Sequence, residues 1–129
     1  MTSILLVEDH KIFATALQRV LQERGQMDVP AVAESAEEAL KLIPDLKVDL
    51  VLIDVSLPQK SGISLVHNLQ KSHPNLPCVM LSAHLSQQYV RSSLAAGARG
   101  YLLKDHSAEI LEGIRRVLQG EVYVSEQVR

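Results

Sequence analysis

The sequence predicts an α/β fold, a doubly wound parallel sheet of five strands covered by helices on both faces. Three observations carry this reading. Short runs of consecutive aliphatic residues leave no face for water and so read as strands buried on both sides. Each run is followed by a stretch with the apolar spacing of a helix, closed by Gly or Pro. The alternation fills the chain to about residue 120 with short connections, and parallel strands joined through helices wind right-handed into one sheet.

The first strand is Ile4 to Val7, and the first helix carries Phe13, Leu17, Val20 and Leu21 before Gly25, read as its C-cap. Val29 to Ala33 is a weaker second strand whose small residues and Pro30 suit a sheet edge. Ser35 followed by Glu38 has the spacing of a capping box and opens a second helix with Ala39, Leu42 and Ile43, stopping before Pro44. Leu50 to Ile53 forms the third strand; the third helix starts near Ser61, carries Ile63, Val66 and Leu69, and ends before Pro74. Cys78 to Leu81 is the fourth strand, and a helix from about Ser86 with Tyr89, Val90 and Leu94 ends at Gly97. Tyr101 to Leu103 is the fifth, and a helix from about Ser107 sets Ile110, Ile114, Val117 and Leu118 on one face before Gly120. Residues 1–120 therefore read as one domain. Glu121 to Arg129 show no strand or helix bulk and read as a tail or the start of a linker.

Composition narrows the function. The 129 residues, 47% hydrophobic, suit a single domain. Thirteen Lys and Arg against fifteen Asp and Glu give a net charge of −2, without the basic stripe that nucleic-acid binding requires, so this segment is not expected to hold DNA itself. No apolar run approaches the ~20 residues of a membrane span and no leader pattern opens the chain, so a cytoplasmic protein with no membrane contact is expected. The lone cysteine, Cys78, excludes an internal disulfide and a multi-thiolate metal site, and its apolar neighbours mark it as core.

In an open parallel sheet ligands bind beyond the carboxyl ends of the strands. Glu8 and Asp9 follow the first strand, Asp54 the third, Ser82 the fourth and Lys104 the fifth. Singly each has an ordinary role: helix capping for the acids, a loop hydroxyl for Ser82, a solvated charge for Lys104. Jointly they place three carboxylates, a hydroxyl and an ammonium at one end of the sheet. The charges sum to zero once a divalent cation is added, and all-oxygen ligands favour Mg²⁺ or Mn²⁺ over zinc. A hard cation beside a carboxylate, a Lys and a Ser is the equipment of phosphoryl transfer, with an Asp carboxylate as nucleophile. The five histidines form no metal signature; His67 and His73 read as surface residues, while His10 and His84 lie at the functional end. Neither a glycine-rich phosphate loop nor a Gly-x-Ser-x-Gly elbow is present.

Leu5-Leu6-Val7-Glu8-Asp9-His10, Asp49 to Asp54 followed by Leu57-Pro58 and Gly62, Leu81-Ser82-Ala83, and Gly97 to Lys104 together resemble the receiver domains of two-component response regulators, the CheY-like family. The resemblance implies a flavodoxin-like strand order 2-1-3-4-5. It makes Asp54 the phosphoacceptor, Glu8 and Asp9 its partners in holding Mg²⁺, and Ser56 the donor of a backbone carbonyl to the metal. Ser82 becomes the switch hydroxyl and Lys104 the ion-pair partner of the phosphoryl group. Tyr101 is either the aromatic switch residue or simply a half-buried sheet aromatic. The added charge of phosphorylation, about −1.5 to −2, would recruit Lys104 and Ser82 and bias the packing of the fourth helix and fifth strand.

The stretch Gly97 to Asp105 with Gly120 to Ser125 is similar to the NarL/FixJ subfamily, in which a linker and a helix-turn-helix domain follow the receiver. The resemblance therefore implies a receiver fragment of a transcriptional regulator, or else a short stand-alone receiver. Its partners would be a histidine kinase or phosphotransfer protein and, on phosphorylation, a second copy. That copy would meet either the fourth helix, fifth strand and fifth helix, where Leu111, Val117 and Leu118 offer apolar area, or the first and fifth helices. Lys60 adds a cation in the loop after Asp54, and Ser56 and His84 stand where this family tunes phosphoryl hydrolysis; neither offers a carboxylate or amide to steer water, which predicts slow self-dephosphorylation. Such a domain is a switch and not a turnover enzyme. A haloacid-dehalogenase-like phosphohydrolase would need a second acid where Ser56 stands, and a degenerate receiver acting only as a binding module would not need the complete set of site groups.

Overall fold

The computed structural model describes all 129 residues. The chain runs β1 (Ser3–Val7), α1 (Lys11–Glu23), β2 (Asp28–Ala33), α2 (Ala36–Leu42), β3 (Leu50–Asp54), α3 (Gly62–Ser72), β4 (Cys78–Ser82), α4 (Gln87–Ala96), β5 (Gly100–Leu103), α5 (Ser107–Leu118) and β6 (Tyr123–Val124), with 3₁₀ turns at Ile43–Asp45 and Glu126–Val128. All neighbouring strands are parallel and the order is β2-β1-β3-β4-β5-β6. The α/β class and the 2-1-3-4-5 order are as expected; the sheet has six strands and not five.

Strand residues alternate between two cores, which is why no strand has a polar face. Leu5, Val7, Val51, Ile53, Met80, Tyr101 and Leu103 face α2, α3 and α4, where Ala39, Leu65, Leu69 and Val90 meet them. Ile4, Leu6, Leu50, Leu52, Val79, Leu81 and Leu102 face α1 and α5, meeting Leu17, Leu21, Ile110 and Ile114. Burying one such aliphatic side chain contributes about 1.5–3 kcal/mol, so the two cores dominate stability. Cys78 lies wholly inside, and burial pushes its thiol up to about 12, which makes it inert at neutral pH. No helix is long and apolar enough to cross a membrane.

Local signals explain the helix starts. The hydroxyls of Ser35, Ser61 and Ser86 accept the backbone N–H of Glu38, Ser64 and Tyr89, each taking up an N–H that the helix cannot satisfy itself. Gly97 ends α4 in the left-handed region, as expected of a C-cap. Pro30 sits on the edge strand where pairing skips from Ser3–Asp28 to Leu5–Ala31, an irregularity that accommodates a residue without an N–H.

Three expectations are corrected. Gly25 is not the left-handed residue after α1; that is Gln26, at φ 54°. Gly25 is small because a Cβ there would lie 2.7 Å from the side chain of Leu111 on α5. Pro44 does not stop the second helical segment but lies inside a 3₁₀ turn that continues it, since Pro fits the first turn of a helix. Residues 121–129 are not a featureless tail: β6 extends the sheet beyond β5, and Ser125 and Val128 are buried. Only two residues pair, too few for hydrophobic periodicity to reveal. Of the α5 residues expected to offer apolar surface, Leu111 and Val117 are buried and only Leu118 reaches solvent.

Candidate functional site

The carboxyl ends of β1, β3, β4 and β5 deliver the site. Asp54 and Ser82 are the last residues of β3 and β4, and Glu8 and Lys104 directly follow β1 and β5. The paired register aligns these ends, with Val7 opposite Ile53, Asp54 opposite Leu81 and Ser82 opposite Leu103. Glu8 and Asp54 are only 1% and 2% exposed.

Lys104 Nζ lies 2.9 Å from Glu8 Oε1 and 3.1 Å from Asp54 Oδ2, so one ammonium bridges two buried carboxylates. Burial raises the Glu8 carboxyl above its ordinary value and the nearby Asp54 charge adds to this, while Lys104 and the His10 N–H oppose it. Burial pulls the Lys104 ammonium down, but the two carboxylates outweigh it and hold the ammonium above its ordinary value. The second Asp54 oxygen, Oδ1, accepts the Ser56 N–H at 3.0 Å.

The acid cluster suits a hard divalent cation. Ligand atoms of Glu8, Asp9, His10 and Asp54 lie within 4.8 Å of one another. Asp9 Oδ1 is buried and accepts no hydrogen bond, and Glu8 Oε1 is met only by the Lys104 ammonium; such oxygens leave room for a cation to serve them. His10 contributes more than expected: its N–H and its Nδ1 reach Glu8 Oε2 at 3.1 and 3.2 Å. That leaves the remaining Glu8 and Asp9 oxygens for Lys104 and a metal.

Ser82 and Tyr101 form a second layer. The Ser82 hydroxyl accepts the His84 N–H at 2.8 Å, closing a turn after β4. Tyr101 is fully buried, not half-buried, and its hydroxyl donates to the His84 carbonyl at 3.0 Å. Burial raises the phenol, opposed by the Ser82 hydroxyl beside it. The His84 backbone is thus held by both residues, while its exposed ring meets Tyr89 edge-on at 5.4 Å. Ser56 and Lys60 are exposed in the loop after β3.

Two contributors were not singled out as site residues from sequence. Gly62 opens α3 against the site: a Cβ there would collide with the Asp54 carbonyl oxygen, and the Gly62 N–H donates to Val55 O at 2.9 Å. Its only sequence signal is a lone glycine after Leu57-Pro58. Phe13, read as a core residue of the first helix, lies with its ring centroid 4.9 Å from Lys104 Nζ, close enough for a cation–π contact. Nothing in helical spacing distinguishes that role from packing.

Residues 4–117 match the family model of the response regulator receiver domain. The chain belongs to this family. Among curated relatives, the receiver is 35% identical over 129 residues to the response regulator GacA of Pseudomonas viridiflava, covering 99% of this chain and 60% of that protein. It is 31% identical over 126 residues to the transcriptional regulatory protein DegU of Brevibacillus brevis, covering 97% and 53%. The receiver thus spans little more than half the length of these relatives. A crystal structure of a LuxR-family two-component response regulator from Aurantimonas sp. SI85-9A1 superposes with a TM-score of 0.94 at 28% identity, covering 99% of the receiver and 93% of that chain.

Proposed function

We propose that this receiver accepts a phosphoryl group on Asp54 from a phosphohistidine of a kinase or phosphotransfer protein, or from a small phosphodonor, and relays that state to an output. The observation that carries the reading is the Lys104 ammonium bridging Glu8 and Asp54 at 2.9 and 3.1 Å. An ammonium so placed orients the Asp54 carboxylate and is at hand for the oxygens that a phosphoryl group adds. An Asp54 oxygen attacks phosphorus; a P–O bond forms while the bond from phosphorus to the donor nitrogen or acetate oxygen breaks, its electron pair leaving with the donor. Glu8, Asp9, Asp54 and the Ser56 carbonyl would hold Mg²⁺ or Mn²⁺, which when bound supplies charge neutralisation at the phosphoryl oxygens.

After transfer, Lys104 can trade its Asp54 contact for a phosphoryl oxygen. The Ser82 hydroxyl, to reach the same group, must give up the His84 N–H. His84 also holds Tyr101, so that exchange would pass strain into the loop before α4, giving Tyr101 its switch role. Ser56 and His84 flank the approach of water and offer it no carboxylate or amide, which predicts slow self-dephosphorylation. The printed name of the DegU relative, a transcriptional regulatory protein, supports a transcriptional output; a DNA-binding domain outside this segment, phosphorylation-dependent homodimerisation and a cytoplasmic setting, with no nucleic acid or membrane contact by the receiver itself, are part of the proposal.

The test is intact-mass spectrometry after incubation with acetyl phosphate, with and without Mg²⁺, on the native chain and Asp54→Asn. One phosphoryl group gained only by the native chain with Mg²⁺ is expected; no gain would overturn the reading. Decay of that adduct in Ser56 and His84 variants tests the lifetime, and unchanged rates in both would remove their tuning role.

A further inference from the structure

The segment after α5 is tied to the strand that carries Lys104. Tyr123 N–H donates to Arg99 O at 3.0 Å and Ser125 N–H to Tyr101 O at 2.9 Å, so β6 pairs along β5 as far as Tyr101. There the chain turns away into its last 3₁₀ turn, and no β6 carbonyl meets the next β5 donor, Leu103 N–H. The Ser125 hydroxyl takes that donor instead, at 3.1 Å, in a setting where Ser125 is fully buried. Leu103 is the residue immediately before Lys104.

Three further ties hold the segment down. Glu109, in the first turn of α5, accepts from the Tyr123 hydroxyl at 3.0 Å and from Glu126 N–H at 3.1 Å. Val128 is buried in the same core as Tyr101 and Val90. Gln87, the first residue of α4, donates to Arg129 O at 3.0 Å. The segment thus touches β5, α4 and α5, which all adjoin the loops bearing His84 and Lys104.

We infer that residues 121–129 form a strap coupled to the phosphoryl site, with Ser125 as a positioning residue that fixes the end of β5 and therefore the departure of Lys104. Coupling free energy is reciprocal: if strap docking helps set Lys104, a ligand that pins Lys104 must tighten the strap. The inference rests on the reading of Asp54 as phosphoacceptor, because its probe is a phosphoryl stand-in.

The experiment uses the full chain with Mg²⁺ and beryllofluoride. Hydrogen exchange across residues 121–129 is expected to slow at least about threefold on binding, by the reciprocity of coupled sites. Ser125→Ala is expected to bind beryllofluoride several-fold more weakly, and Ile43→Val, a mild core change at the other end of the sheet, to bind it normally at comparable loss of stability. Glu109→Gln, at a more exposed position, gives a second loosened strap if Ser125→Ala folds poorly, with weaker binding again expected. Unchanged exchange in the strap while the Asp54 loop responds would overturn the coupling, as would native affinity in the loosened variants. Failure of the native chain to bind beryllofluoride at all would overturn the Asp54 reading, and the coupling with it.

Discussion

Glu8 and Glu109 are both held by several partners, yet their surroundings push them in opposite directions. Burial, joined by the Asp54 charge, leaves Glu8 raised, with one oxygen met only by the Lys104 ammonium. Burial also acts against Glu109, but Ser125, Glu126 N–H and Tyr123 outweigh it and hold that carboxyl below its ordinary value. The Glu109 clasp is a finished structural contact, its charge answered by donors. At the site, acids are concentrated beyond what one lysine can neutralise, and that surplus is what a cation and a phosphoryl group can use. Binding capacity lies where the fold leaves polar groups incompletely served.

The largest effect should come from removing the proposed nucleophile: Asp54→Asn is expected to abolish the phosphoryl adduct in intact-mass measurement, whereas Glu109→Gln should retain it. A retained adduct in Asp54→Asn would break the contrast outright. Next in size, Lys104→Met leaves Glu8 and Asp54 facing each other without their cation. Breaking a buried ion pair costs about 3 kcal/mol, here toward the low end because Lys104 keeps some water, and added Mg²⁺ should restore part of the loss in thermal melts. Gly62→Ala should cost about 1–3 kcal/mol by overpacking and lower adduct formation too, because the added methyl meets the backbone that carries Asp54.

Smaller effects sharpen the contrast. The folded Glu109 carboxyl lies below its ordinary value, so its stabilising contribution is complete above the unfolded value and is lost as pH falls through the folded one. The Tyr123 hydroxyl and His106 face this carboxyl as well, and both favour its charged form. Denaturant melts of native chain and Glu109→Gln should therefore differ at neutral pH by only about 0.5 kcal/mol, because solvent screens this carboxyl, and converge as the acid limb is descended. Equal stability at neutral pH would show that the clasp holds nothing. Phe13→Leu, which keeps bulk and removes the ring face from Lys104, should slow acceptance from acetyl phosphate about two- to five-fold, with Phe13→Tyr close to native. Equal rates for the two variants would reduce Phe13 to packing.

Much of the site was legible because strand ends are simple to read. An aliphatic run buried on both faces must end where a polar residue appears, and in a parallel sheet all such ends point the same way. Glu8, Asp54, Ser82 and Lys104 are therefore adjacent as soon as the four strands are recognised, and serine caps mark where α2, α3 and α4 begin. Gly25, Phe13 and Ser125 were opaque for a different reason. Each acts on a residue distant in sequence: Gly25 on Leu111, Phe13 on Lys104, Ser125 on Leu103. No local period encodes those meetings.

By itself, then, the sequence determined the class of fold, the order of its main elements and the chemistry collected at one end of the sheet, because hydrophobic periodicity and strand polarity are local properties of the chain. Tertiary structure alone decided that Lys104 bridges Glu8 and Asp54 while Asp9 Oδ1 stays without a hydrogen bond, that Tyr101 is wholly buried with its hydroxyl on His84, and that the last residues complete the sheet. Those outcomes depend on which donors and side chains reach a given atom in space, and short pairings such as β6 are stabilised by the neighbours they meet rather than by any propensity of their own.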